Sequence, residues 1–208
     1  MHRARIRRQS ESSAGLSRVF PLLYPAAFGA ISILFFFAAA SQPVGAQSQS
    51  AGEYEVKAAF LYNFAKFIDW PNGSFADPSA PFAICVLGLD PFGHTLDDAL
   101  QGKMIGSHPV TLARLQDATE AKRCQMVFVS SSERRRLPEI EDELRGSNVL
   151  LVGEFPGFAG AGGALQFIIE ENRVRFLINT DAAQRAGLRL SSKLLSVARV
   201  VHDSSGKS

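Results

Sequence analysis

Two cysteines carry the sharpest chemistry in this chain of 208 residues. Cys85 sits inside the apolar run Phe82 to Gly88, and Cys124 lies at the entrance to the run Gln125 to Ser130. Both runs read as buried strands of a parallel sheet. In the doubly wound order the first and third strands are neighbours. Their α-carbons then come within the ~4.4–6.8 Å that a disulfide needs. A loop of about 40 residues closed this way stabilises a fold by roughly 4 kcal/mol on the chain-entropy model. The alternative is two buried free thiols. A metal site would need more ligands than two cysteines supply.

Other reactive constellations are sparse. Beyond the first 46 residues the histidines are His94, His108 and His202. His94 beside Asp97 and Asp98 reads as an exposed helix face, His108 precedes Pro109 in a turn, and His202 falls near the chain end. No Gly-x-Ser-x-Gly nucleophile elbow occurs. Gly160-Ala161-Gly162-Gly163 has the composition of a phosphate cradle, but it leads into a strand and not a helix N-terminus. A turn that needs positive φ accounts for it better. No catalytic residue, metal set or cofactor is assigned.

The elements that must position these residues begin after a leader. Arg3, Arg5, Arg7, Arg8 and Arg18 precede an apolar run over Ala26 to Ala40, and Val44-Gly45-Ala46 supplies small residues before Gln47. This is the plan of a secretory signal peptide over residues 1–46. The alternative is an uncleaved membrane anchor, but the apolar core, about 15 residues, is short for a span of ~20, so cleavage is expected, with no membrane insertion afterwards. The remaining chain has 208 − 46 = 162 residues. The leader takes five of the 22 Lys and Arg and one of the 20 Asp and Glu, which leaves 17 − 19 = −2. That balance argues against nucleic acid as a partner. Arg134-Arg135-Arg136 reads as a solvated helix start.

Residues 47–52 and 203–208 are expected to be disordered, and 53–202 to form a single domain. Glu53 to Pro71 reads as one helix of about five turns. Val56, Ala59, Phe60, Phe64 and Phe67 form its apolar face, while Glu55, Tyr62, Lys66 and Asp69 make a polar stripe. Strands are expected at Phe82 to Gly88, Pro109 to Leu115, Gln125 to Ser130 and Asn148 to Gly153, then a hairpin of Ala164 to Ile169 and Val174 to Ile178. Short helices fall at Phe92 to Leu100, after Pro138 and at Thr180 to Ala186. A final helix capped by Ser191 or Ser192 buries Leu194, Val197, Ala198 and Val201. The fold class is α/β: a three-layer, mostly parallel but mixed six-stranded sheet with helices on both faces. In such a sheet a small molecule would bind at the carboxyl ends of the strands. Gly88, Ser130, Ser131, Gly153 and Asn179 are the candidate lining of that crevice.

Several stretches together resemble one family, the periplasmic YfiR-type regulators. They are KAAFLYNFAKFIDWP at 57–71, ICVLGLDPFG at 84–93, GSHPVTLARL at 106–115, CQMVFVSSSE at 124–133, Gly162 to Phe167, and VRFLINTDAAQRAGLRLSSKLLSVA at 174–198. The resemblance implies an exported, non-enzymatic protein. Its partner would be the periplasmic sensor domain of an inner-membrane diguanylate cyclase of the YfiN type. Binding would hold the cyclase inactive, lower cyclic di-GMP and restrain biofilm formation. A homodimer is the expected form. The second reading is a periplasmic small-molecule-sensing module. Some relatives carry a second disulfide near the glycine-rich loop, but FPGFAGAGGALQF here holds no cysteine.

A regulator without catalytic residues acts by binding, and binding energy concentrates in aromatic and basic anchors. Tyr62 and Lys66 on the polar stripe, Trp70 at the helix end, and Phe155 and Phe158 in the glycine-rich loop are therefore the expected partner contacts. The leader's layout makes one direct prediction. Intact-mass measurement of the exported protein should find Gln47 at its N-terminus, and a mass that still includes Ala26 to Ala40 would contradict it.

Overall fold

The computed structural model describes residues 45–71 and 73–204, with side chains from residue 51 onward. Residues 1–44, which are all but the last two of the expected leader, and the last four residues, 205–208, lie outside the described residues. The chain runs α1 (Gly45–Lys66), β1 (Ile68–Asp69), β2 (Phe82–Leu87), α2 (His94–Leu100), β3 (Met104–Ile105), β4 (His108–Leu115) and β5 (Met126–Val129). It continues with α3 (Leu137–Glu143), β6 (Leu150–Gly153), β7 (Leu165–Glu170), β8 (Arg173–Asn179), α4 (Thr180–Arg185), β9 (Arg189–Leu190), α5 (Ser192–Leu195) and β10 (Arg199–Val201).

The main sheet has eight strands in the order β10-β8-β7-β6-β5-β2-β4-β3. The four parallel strands and the hairpin stand where the apolar runs place them. The two additional strands sit at the edges. β3 pairs antiparallel with β4, and β10 pairs parallel with β8. Alternation along β2 assigns its two faces. Phe82, Ile84 and Val86 join the core under α1 and α2, while Cys85 and Leu87 join the core under α3. Helices thus cover both faces, as a mostly parallel sheet requires.

Five expectations need correction. The buried apolar side of α1 is Ala58, Leu61, Phe64 and Ala65, whereas Val56 and Ala59 face solvent and Phe60 is half-buried. An almost wholly apolar helix gives its stripe little contrast, so spacing alone cannot choose between adjacent faces. The helix also stops at Lys66, before Pro71. Ile68–Asp69 turns instead into a strand paired with β9, and Phe67 O accepts from Ser191 N at 3.0 Å. Residues 47–52, expected to be disordered, carry helical backbone. Finally, the last helix is a single turn. Ser191 caps it, accepting from Leu194 N at 3.2 Å, but the chain then extends into β10 and leaves Val197 65% exposed. Pairing with β8 satisfies backbone groups that a longer helix would leave on an open sheet edge. Beyond it, Asp203 and Ser204, expected to be disordered, are held by hydrogen bonds to Asn179 and Gly160, and residues 205–208 lie outside the described residues.

Cys85 and Cys124 form the expected disulfide, with α-carbons 6.1 Å apart. It ties β2 to the 3-10 turn Ala118–Arg123 that enters β5. Both cysteines are buried among Leu137, Ile140 and Val127. Cys85→Ser should therefore lower unfolding free energy by roughly 2–5 kcal/mol. Denaturant titration measures this, and thiol labelling of the unreduced, denatured parent should detect no free thiol.

Candidate functional site

β2, β5 and β6 end side by side, with Leu87, Val129 and Gly153 in register. This is where an open α/β sheet places its crevice. Four of the five residues expected to line it serve the fold. Gly88 turns with φ +90°, and a β-carbon there would collide with Ser132 and Glu133. Ser130 is buried and caps the 3-10 turn Ser131–Arg136. Gly153 gives its side-chain space to the Phe158 ring, whose nearest atom is 2.6 Å from where a β-carbon would sit. Asn179 is fully buried. Its Oδ1 accepts from the backbone of Asp181 and Ala182, and its Nδ2 donates to Ala159 O and Asp203 Oδ1. Only Ser131 opens onto a cleft, of about 390 Å³.

That cleft contains a group the sequence reading missed. Lys57 is 3% exposed and sits beside Glu53, Tyr54 and Glu154. Its Nζ donates to Glu154 Oε2 at 2.7 Å and to Glu53. Tyr54 lies under the ammonium, 4.6 Å from ring centroid to Nζ, and donates its hydroxyl to Glu154 Oε1 at 3.2 Å. Burial, then the charge and hydrogen bond of Glu154, raise the Tyr54 phenol well above its ordinary range. A buried ammonium survives only when paired in this way. The i,i+4 spacing of Glu53 and Lys57 was the available signal. Glu154 lies 97 positions away from Lys57 in the chain and gave none. The cluster closes on itself and pins α1 to the end of β6.

The expected partner contacts divide. Tyr62 is half-buried and donates to Met104 O at 3.1 Å, while the ammonium groups of Lys66 and Lys103 lie 5.2 and 5.6 Å from its ring centroid. Lys66 is exposed. Trp70 is half-buried, with Nε1 donating to Ala65 O and its ring edge-on to Phe82 at 5.0 Å. Phe155 and Phe158 are not on the surface: they are 5% and 0% exposed and pack edge to face at 5.0 Å. Gly153 and Gly163 are what let the Phe158 ring sink between them. Phe155 is covered in turn by the Arg134 guanidinium, 5.7 Å away. Of the five, Lys66 is thus exposed, and Tyr62 and Trp70 are half-buried.

Among the described residues, no group of three or more His, Cys, Asp or Glu side chains is placed to hold a metal ion. No helix among them is long and apolar enough to cross a membrane.

A family model described as YfiR/HmsC-like matches residues 54–199. Curated proteins give no match. Among solved structures, a conserved domain protein from Vibrio cholerae is similar at 8% identity with a TM-score of 0.50, over 71% of this chain and 59% of that one. At that identity it supports the fold alone. The ABC domain in complex with L-Trp from Streptococcus pneumonia is 11% identical over 74% of this chain and 60% of that one, with a TM-score of 0.44. The chain thus spans about six-tenths of the length of these structures.

The buried lysine makes a stability prediction. Lys57→Met leaves Glu53 and Glu154 facing each other without their cation and should cost about 3–5 kcal/mol in a urea titration. Adding Glu154→Gln should recover part of that loss, because one uncompensated charge is removed. A loss below about 1 kcal/mol for the single variant would show that the pair behaves as a surface bridge.

Proposed function

The chain belongs to the YfiR/HmsC-like family, and from that premise we propose that it is an exported regulator that acts by binding. In this reading it docks on the periplasmic sensor domain of an inner-membrane diguanylate cyclase of the YfiN type. It holds the enzyme inactive, which keeps cyclic di-GMP low and restrains biofilm formation. The observation that carries the reading is the family match, which takes in α1 from Tyr54 onward and the main sheet up to the start of β10. The geometry is compatible with it. The polar residues at the strand ends are committed to caps, turns and the pin on α1, so little is left there to recognise a substrate. The small-molecule-sensing alternative would need those groups free.

The outward stripe of α1, with Glu55, Tyr62 and Lys66, is the partner surface this reading favours. A homodimer belongs to the same proposal. Val56 and Ile169 are 44% and 50% exposed on either side of a groove that also includes Phe60 and Val174. A second copy would bury that apolar strip.

Lys66→Glu reverses an exposed charge without touching the core. It should weaken capture of the cyclase's periplasmic domain by about tenfold or more and raise cellular cyclic di-GMP, with the melting temperature unchanged. Capture equal to the parent would remove the α1 stripe as the interface. If the parent itself captures no such domain, the inhibitory reading fails and the ligand-sensing one replaces it.

A further inference from the structure

A second cleft, of about 340 Å³, lies between α3, the glycine-rich loop and α4. Val149 and Ala182 contribute to its apolar wall, and Glu141, Arg145 and Arg185 are its charged lining. Glu141 comes from α3, and its carboxylate rests directly against Gly162, where a β-carbon would collide with it. Gly162 has φ +114°, so the loop presents bare backbone at this point. Oε1 of Glu141 is buried and has no hydrogen-bond partner. Native structures rarely leave such a group unpaired without a reason.

The charges around Glu141 belong to three elements. Asp142 of α3 pairs with Arg145 just beyond the helix. On α4, Arg185 grips Asp203 with both guanidinium arms. Asp203 belongs to a strap of residues 202–204. Within it, His202 Nδ1 lies 3.1 Å from Asp181, Asp203 accepts from Asn179 at 2.7 Å, and Ser204 N donates to Gly160 O at 3.0 Å. Arg185 is therefore shared ground: it holds the strap and lines the cleft that contains Glu141.

We propose that Glu141 is a proton-operated wedge. With its proton on, it rests against Gly162 and leaves Arg185 to Asp203. Ionised, it turns into the cleft toward Arg185, competes with Asp203 for the guanidinium, and loosens residues 202–204 from the glycine-rich loop. Electrostatics agree with the geometry. Burial pushes the Glu141 carboxyl up to about 7, with Arg185 pulling it down and Asp203 raising it. A carboxyl whose proton is held more tightly in the folded than in the unfolded chain destabilises the fold as pH rises above its ordinary value of 4.5. The folded state relieves that penalty if the ionised group can reach a cation and water, and the cleft offers both. The wedge operates whatever the protein binds.

Hydrogen–deuterium exchange on the full exported chain tests this, read at about pH 5.5 and about pH 8 and corrected for intrinsic exchange. In the parent, peptides covering residues 157–163 and 202–204 should exchange roughly threefold or more faster at the higher pH. Glu141→Gln should remove that difference. Asp203→Asn, which frees Arg185 outright, should exchange fast at both pH values. His202→Gln should keep the parent's response. The proposal is overturned if the parent shows no difference, if Glu141→Gln keeps it, or if His202→Gln alone abolishes it. Should Glu141→Gln not fold, the Asp203→Asn result decides: protection that still varies with pH would overturn the wedge.

Discussion

One buried side chain organises the carboxyl end of the hairpin. Asn179 ends β8 and is fully buried, and all its hydrogen-bonding capacity is used. Its oxygen closes the first turn of α4, its nitrogen holds Ala159 of the glycine-rich loop, and the same nitrogen holds Asp203 of the C-terminal strap. Three segments far apart in sequence are thereby fixed at one point. A substitution that kept the shape but lost the donor would leave the buried Ala159 carbonyl without its side-chain partner and Asp203 with Arg185 alone, and an unpaired buried carbonyl is costlier than the loss of an average hydrogen bond. The position reads as a crevice residue only until its partners are counted.

Much of the sheet was legible because its signal is local. Apolar runs such as Met126–Val129 and Leu150–Gly153 have no amphipathic alternative, so both their type and their burial follow from composition. The hairpin was legible through its turn, where Glu171 and Asn172 take positive φ. The failures were of another kind. The buried face of α1 is set by what lies beneath it, Phe167 and Phe176 of the hairpin, and neither is near in sequence. The last helix was cut short by a strand edge that exists only once the sheet has formed.

The candidate site was less legible for the same reason. A crevice is argued from which residues end the strands, but whether those residues are free depends on long-range partners. Ser130, Gly153 and Asn179 stand where they were placed and are all committed to the fold. Lys57 is the reverse case. A lysine on a helix reads as solvated, and only the approach of Glu154 turns it into a buried ion pair. The misplaced phenylalanines share this logic. Glycine in a loop signals flexibility or close approach, and sequence cannot tell which until the ring that fills the space is known.

That ring decides what kind of control the loop can exert. The loop contains no cysteine, so no covalent cross-link closes it. It is held by the buried Phe158 ring, by Asn179 and by the bond from Ser204 to Gly160. The single disulfide, Cys85–Cys124, lies in the core under α3 with cysteines 1% and 2% exposed, which shields it from thiol exchange. Redox chemistry therefore has no accessible handle near the loop. What remains to adjust it is packing and charge. The titratable group that touches it directly is the Glu141 carboxyl against Gly162, a contact that a β-carbon at residue 162 would abolish. In this chain the glycine-rich loop is thus a packed, electrostatically poised element, governed by noncovalent forces.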